Sequence, residues 1–280
     1  MRKCTRVAAV LLALGTAAAG TAVPAAAAPL GLQLVTRTSP VDQATKEVVV
    51  GCPGGTKAYS VGARVNGSPP GFVVVDRVEP AADLTSVVVR ARPRVVGTAW
   101  SVTGFALCGF GQPRLYPSGD TVQADQVLHD TDTDAESCPA GQVTGVGATI
   151  SNPANEPVGL YALKPNPALS AAIASASGPA GPWPAGQWKV KAWAICAELS
   201  LDLALVEAMS GKSEDSPKTV IATCPDGSLI GWGGAVDGPP PHKPAALEGT
   251  TPNTTDNEVT AIGTAGASPW SMAAYAICVK

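Results

Sequence analysis

The chain has 280 residues and a formal net charge of −3, with 15% charged, 5% aromatic and 45% apolar residues, 30 glycines and 26 prolines. That apolar share excludes a disordered tail, and a pI near 5.4 with 19 Lys and Arg offers no basic field for a nucleic acid. With only two histidines, a His-built metal or acid–base centre is not expected, and no cofactor is called for.

Residues 1–28 read as an export signal peptide. Arg2, Lys3 and Arg6 form a positive start, residues 7–19 an apolar run too short to cross a bilayer comfortably, and residues 25–28 a small-residue cleavage site. Cys4 precedes the apolar run, so it is not a lipid-anchor cysteine. Loss of the leader takes the charge to about −6, compatible with solubility. No later stretch reaches 18 apolar residues, so the mature protein is expected to be exported, without a membrane span, and monomeric.

Residues 30–35 then alternate in polarity like a half-buried strand, and residues 46–50 continue the β pattern. Cys52-Pro53 follows, with Gly55 behind it and a Gly62-Ala63 pair read as a turn. Residues 87–92 form another strand pattern, and the segment closes with Trp100, Phe105 and Cys108. The sequence then repeats itself. Arg114-Leu115-Tyr116 is a degenerate first strand; Cys138-Pro139, Gly141 and Gly147-Ala148 follow, and the copy ends on Trp188, Trp193 and Cys196. Within it, residues 168–176 are the best helical candidate of the chain, stopped by Gly178-Pro179. Residues 199–206 alternate again, as a strand in preference to a helix, before Cys224-Pro225, Gly227, Gly234-Ala235 and the closing Trp270, Tyr275 and Cys278. Asn66-Gly67, Ser118-Gly119, Asp226-Gly227 and Asp237-Gly238 mark turns.

The first cysteines of the three copies are 86 and 86 residues apart, and Trp precedes the second cysteine by eight residues every time. Such regular spacing is a repeat signal. It places β repeats at 29–109, 110–197 and 198–280. Six cysteines in an exported chain read as three disulfides. Of fifteen possible pairings the most economical lies within each copy: Cys52–Cys108, Cys138–Cys196 and Cys224–Cys278. Each would contribute about 4 kcal/mol on the loop-entropy model.

The expected fold is all-β: three pseudo-symmetric antiparallel repeats around a shared core, with three tandem small β-sandwiches as the alternative. One small sheet cannot bury its apolar face alone, and three can bury theirs against one another. The Trp100/Trp188/Trp270 and Phe105/Trp193/Tyr275 triads fall on opposite faces of a strand, so one is expected to point to the common core. The phrase Cys-Pro-x-Gly…Gly-Ala…Trp-x7-Cys resembles a repeat of uncharacterised secreted actinobacterial proteins, which implies export and an all-β repeat but no activity. The threefold arrangement with repeat-internal cystines resembles β-prism proteins such as the vitelline membrane outer layer family.

Chemistry is sparse. Asp130, Asp132, Asp134 and Glu136 alternate, so on an extended chain their carboxylates point the same way, a weak Ca²⁺ pattern. Ala135 and Gly141 stand where a Ca²⁺ loop needs glycine and glutamate, so an exposed, solvated segment is expected there. No nucleophile elbow, zinc-helix or phosphate-loop motif occurs. Trp183, in a Gly/Pro loop, and Trp232, between glycines, are the candidate ligand anchors, with Asp237 and His242 as neighbouring loop polars, and local packing under the loop is the reading preferred for both tryptophans. These features lead to the expectation of a secreted, non-catalytic protein that binds glycan or a cell-envelope surface. A structural envelope protein, or an exported hydrolase with a carboxylate pair, are the alternatives.

Overall fold

A computed structural model describes residues 31–118, 122–123, 131–151, 158–178, 188–198, 202–238, 245–266 and 268–280. The proposed leader lies outside these residues. The described residues form strands and no helix. The first repeat supplies β1 (Gln33–Thr38), β2 (Lys46–Gly51), β3 (Lys57–Asn66), β4 (Val73–Pro80), β5 (Ser86–Pro93) and β6 (Ser101–Gly109). The second supplies β7 (Arg114–Pro117), the short β8 (Val122–Gln123), β9 (Thr131–Ser137), β10 (Gln142–Ser151), β11 (Gly159–Pro165), β12 (Ala171–Ser177) and β13 (Lys189–Ala197). The third supplies β14 (Leu203–Met209), β15 (Lys218–Thr223), β16 (Ser228–Asp237), β17 (Ala245–Asn253), β18 (Glu258–Ala265) and β19 (Ser271–Val279).

These strands form three antiparallel sheets, and every sheet is shared between two repeats. Sheet I runs β1-β6-β3-β17-β18-β15, sheet II β2-β5-β4-β10-β13-β7 with β8 also on β13, and sheet III β14-β19-β16-β11-β12-β9. Each repeat therefore gives three strands to one sheet and three to the next, the second repeat adding the short β8 to sheet II, and the exchange closes in a ring. The three sheets pack together in a threefold pseudo-symmetric, β-prism-like arrangement over one continuous apolar cluster that draws on all of them. Trp100, Trp188 and Trp270 lie inside, 1%, 1% and 0% exposed.

The seams between repeats are narrow. β10 meets β4 at Ala148–Val78 and Thr149–Arg77, β16 meets β11 at Ala235–Ala162 and Gly234–Leu163, and β3 meets β17 at Arg64–Gly249. A bulge sits at the same place in each copy, between Ala58 and Ser60, Val143 and Gly145, and Leu229 and Gly231. There the repeats touch directly. Thr144 Oγ1 donates to the Tyr59 carbonyl at 2.8 Å, and Trp232 N–H donates to Ser60 Oγ at 3.3 Å. A Cβ on Gly145 would lie 2.7 Å from the Tyr59 carbonyl oxygen, closer than real side chains come, so glycine is needed for the repeats to approach. The Gly-Ala pairs are thus not turns. Gly62-Ala63, Gly147-Ala148 and Gly234-Ala235 lie within β3, β10 and β16, where the missing side chain makes room for the Val78 backbone beside Gly147 and for packed side chains beside Gly62 and Gly234.

The disulfides are Cys52–Cys108, Cys138–Cys196 and Cys224–Cys278, each inside its repeat. Because a repeat straddles two sheets, each cystine ties one sheet to another. Cys52 follows β2 of sheet II and reaches β6 of sheet I; Cys138 follows β9 of sheet III and reaches β13 of sheet II; Cys224 follows β15 of sheet I and reaches β19 of sheet III.

The helical candidate at 168–176 is a turn running into β12. Asn166 Oδ1 accepts the N–H groups of Ser170 and Ala171, and Leu169 takes a left-handed φ of 54°. Beyond the turn Ala172, Ala174 and Ala176, all 0% exposed, point inward at period two. Packing of this small-residue face overrides alanine's helical preference.

Candidate functional site

Directly paired residues of neighbouring strands share a face, so the registers give the outward face of each sheet. On β6, β13 and β19, Phe105, Trp193 and Tyr275 stand three residues before the second cysteine of each repeat. They pair with Gly62, Gly147 and Gly233. The three faces around them have diverged.

On sheet III the face is an apolar groove. Ala162, Ala235, Ala273 and Tyr275 form one cluster, flanked by Tyr161 and Leu205. A cavity of about 330 Å³ opens over it, walled by Lys164, Asn166, Ile173, Leu205, Glu207 and Tyr275 with Pro165 and Pro167. β14 pairs with β19 so that Glu207 lies opposite Tyr275, which brings the Glu207 charge beside the Tyr275 hydroxyl. Burial, then the Glu207 charge, and lastly Asp237 hold the Tyr275 hydroxyl far above the usual tyrosine range. Lys164 Nζ sits 5.9 Å from the centre of its ring. A Cβ on Gly233 would collide with the Leu163 carbonyl oxygen, so the position paired with Tyr275 carries no side chain.

On sheet II the face is polar and held by a chain of contacts. Trp193 Nε1 donates to Thr149 Oγ1 at 3.2 Å, and Thr149 Oγ1 donates to Glu79 Oε2 at 3.0 Å. Arg77 Nε donates to the same Glu79 oxygen at 2.6 Å and lies 3.6 Å from Glu47. The buried Asp76 carboxylate accepts Arg90 at 3.0 Å and pairs with Arg92 at 2.5 Å. On sheet I, Phe105 is 6% exposed, and hydroxyls dominate nearby: Thr38 bonds Thr103 at 2.8 Å, and Arg64 donates to Thr251 at 3.4 Å.

Of the residues singled out in the sequence, Trp183, His242 and Asp130 lie outside the described residues, as does the side chain of Asp132. Trp232 does not lie in a loop. It is within β16, 1% exposed, with its indole against Gly62 of the first repeat, so it offers no face to a ligand. Asp237 ends β16, exposed, accepts Ser271 Oγ at 3.3 Å and belongs to the surroundings of Tyr275. The described part of the acidic run is extended, as expected: it forms β9 and pairs with β12, with Thr133, Ala135 and Ser137 exposed but Asp134 withdrawn from solvent. Asp134 is 7% exposed, and its oxygens accept the N–H groups of Ala135 at 2.9 Å and Ala192 at 3.0 Å. That carboxylate serves the backbone of β13 in the next sheet. Burial, then the Asp134 charge, raise the Glu136 carboxyl above its ordinary value. Among the described residues no group of three His, Cys, Asp or Glu side chains is placed to hold a metal ion.

Tyr275 stood in the sequence only as a member of a repeated triad, and Glu207, Lys164 and Asn166 carried no signal. One cue was present. The Trp eight residues before the cysteine is invariant across the copies, whereas the aromatic three residues before it changes from Phe to Trp to Tyr. The constant position is core; of the variable ones, Trp193 is half-exposed and Tyr275 borders the groove, whereas Phe105 belongs to the main buried cluster. No protein-family model matches the chain, and no curated protein matches it.

Proposed function

We propose that the chain is an exported, non-catalytic binding protein that acts as a monomer and takes a glycan of a cell-envelope surface in the groove over Tyr275. The observation that carries this reading is the groove itself. An aromatic ring in an apolar floor, bordered by a carboxylate, an amide and an ammonium, suits the apolar face and the hydroxyls of a sugar ring. Its volume of about 330 Å³ matches one or two sugar residues at the low end of ligand sites. Three intramolecular disulfides point to an oxidising compartment, in keeping with export directed by the leader. No helix among the described residues is long and apolar enough to cross a membrane.

The test is a pull-down of the purified protein on isolated cell-wall polysaccharides, repeated with Tyr275→Ala and Glu207→Gln. Each variant is expected to lose roughly tenfold or more in binding, the range of a buried contact of 1.4 kcal/mol or above, with no sugar released. Undiminished binding by both variants refutes the groove. Release of new reducing ends by the wild type, abolished in Glu207→Gln, refutes the non-catalytic part.

A further inference from the structure

The outward face of sheet II carries a charge pattern unlike the rest of the molecule. Register places Glu47 opposite Arg90, Arg90 opposite Arg77, Arg77 opposite Thr149 and Thr149 opposite Lys191. These five residues form one row across five strands, about 19 Å long at the usual strand spacing. Lys189 and Trp193 flank Lys191 on the same face of β13, two residues to either side, and all three are half-exposed. Lys191 Nζ lies 4.5 Å from the centre of the Trp193 ring.

Asp76 and Arg92 are withdrawn into the structure, with side chains 1% and 10% exposed. The accessible charges are then four cations, Arg77, Arg90, Lys189 and Lys191, against two carboxylates, Glu47 and Glu79. This is a net positive face on a chain of net charge −3. Neither lysine makes an ion pair among the described residues, so each ammonium is ready to take an outside anion. Local positive potential on an otherwise negative protein concentrates anionic ligands there.

We infer that this face docks an acidic polysaccharide, a polymer bearing carboxylates on its sugar rings. The mixture of charges selects the class. A nucleic acid carries a phosphate on every nucleotide, and Glu47 in the row and Glu79 beside it repel so dense a charge. A polysaccharide with spaced carboxylates pairs with the lysines and arginines while its hydroxyls donate to the two glutamates. Trp193, oriented by its bond to Thr149, supplies an indole edge and face beside Lys191 for a sugar ring. The site is separate from the groove on sheet III, so one can fail without the other.

The experiment compares binding of the full-length mature protein to polygalacturonate, to its fully methyl-esterified form, to duplex DNA and to anionic phospholipid vesicles. Expected are binding to polygalacturonate, a loss of about tenfold on esterification, and a steep loss as salt rises from about 0.05 to 0.5 M. Lys189→Gln with Lys191→Gln is expected to lose about tenfold, a change of about 1.4 kcal/mol. Trp193→Ala is expected to weaken the acidic and esterified polymers by a similar factor. Tyr275→Ala is expected to bind polygalacturonate like the wild type. Both lysines are half-exposed and make no ion pair among the described residues, so their replacement leaves the fold intact. Equal binding of the acidic and esterified polymers, undiminished binding by the double lysine variant, or tighter binding of DNA or vesicles overturns the inference.

Discussion

Gly62 and Trp232 come from the first and third repeats and meet in the interior, which makes them a test of how the copies fit together. A Cβ on Gly62 would lie 2.5 Å from Trp232 Nε1 and 2.8 Å from Thr250 Oγ1. Both distances are shorter than real Cβ atoms tolerate, and the indole is 1% exposed with no room to retreat. Gly62→Ala should cost about 2 kcal/mol, in the range of overpacked cores. Trp232→Val installs the residue type found at the equivalent Val146 and removes much of an indole. It should cost about 2–4 kcal/mol through lost burial and the void left behind. In the double variant the new methyl group enters that void, and only the contact with Thr250 remains. The two costs should then fall short of additivity by at least about 1 kcal/mol, beyond the few tenths expected of independent sites. Urea denaturation of the disulfide-intact protein and its three variants gives all four stabilities. Strict additivity would show that the indole does not constrain Gly62, and with it the account of this inter-repeat contact would fall.

Each cystine ties two sheets together, so replacing Cys138 and Cys196 by Ser should remove about 4 kcal/mol, or roughly 8–16 °C in thermal midpoint at this chain length. Calorimetry checks the value, and a change within about 1 °C would contradict the chain-entropy account. Glu248 supplies a pH test. Burial lifts its carboxyl above the ordinary carboxylate value of 4.5, and only the Gly71 N–H, 2.6 Å away, works in the opposite direction. A carboxyl raised in the folded state destabilises the fold once the pH rises above the unfolded value. Glu248→Gln keeps an acceptor for Gly71 and loses the charge, so it should stabilise at pH 7. The gain should shrink as the pH falls and vanish below 4.5. Denaturation midpoints at neutral and acid pH measure this, and an identical gain at both would refute the assignment to buried charge.

The architecture was legible because it repeats. Three copies of one cysteine and tryptophan spacing revealed the cystines, and alternation at residues 46–50 and 87–92 gave β2 and β5. The exchange of half-sheets was not legible, because pairing of β3 with β17 or β10 with β4 is decided by contacts between distant segments. Trp232 misled for the same reason: its glycine neighbours looked like a loop, yet they are small so that other backbones can approach. Ala172, Ala174 and Ala176 fit a helix by propensity and a strand by period, and only burial decides between them. The groove depends on Glu207 and Lys164, 43 residues apart in sequence, joined only when β14 and β11 enter the same sheet.

An excised single copy would end in two raw margins, each shaped for the other but not for itself. Three such molecules could associate head to tail into the same triangle, with identical sides. Covalent linkage removes that identity: every side of the triangle occurs once, and its surface can change without altering the others. A scaffold of this kind can hold a hydroxyl-rich side, a cationic side and a hollow apolar side in one molecule, an assortment closed to any ring of equal subunits.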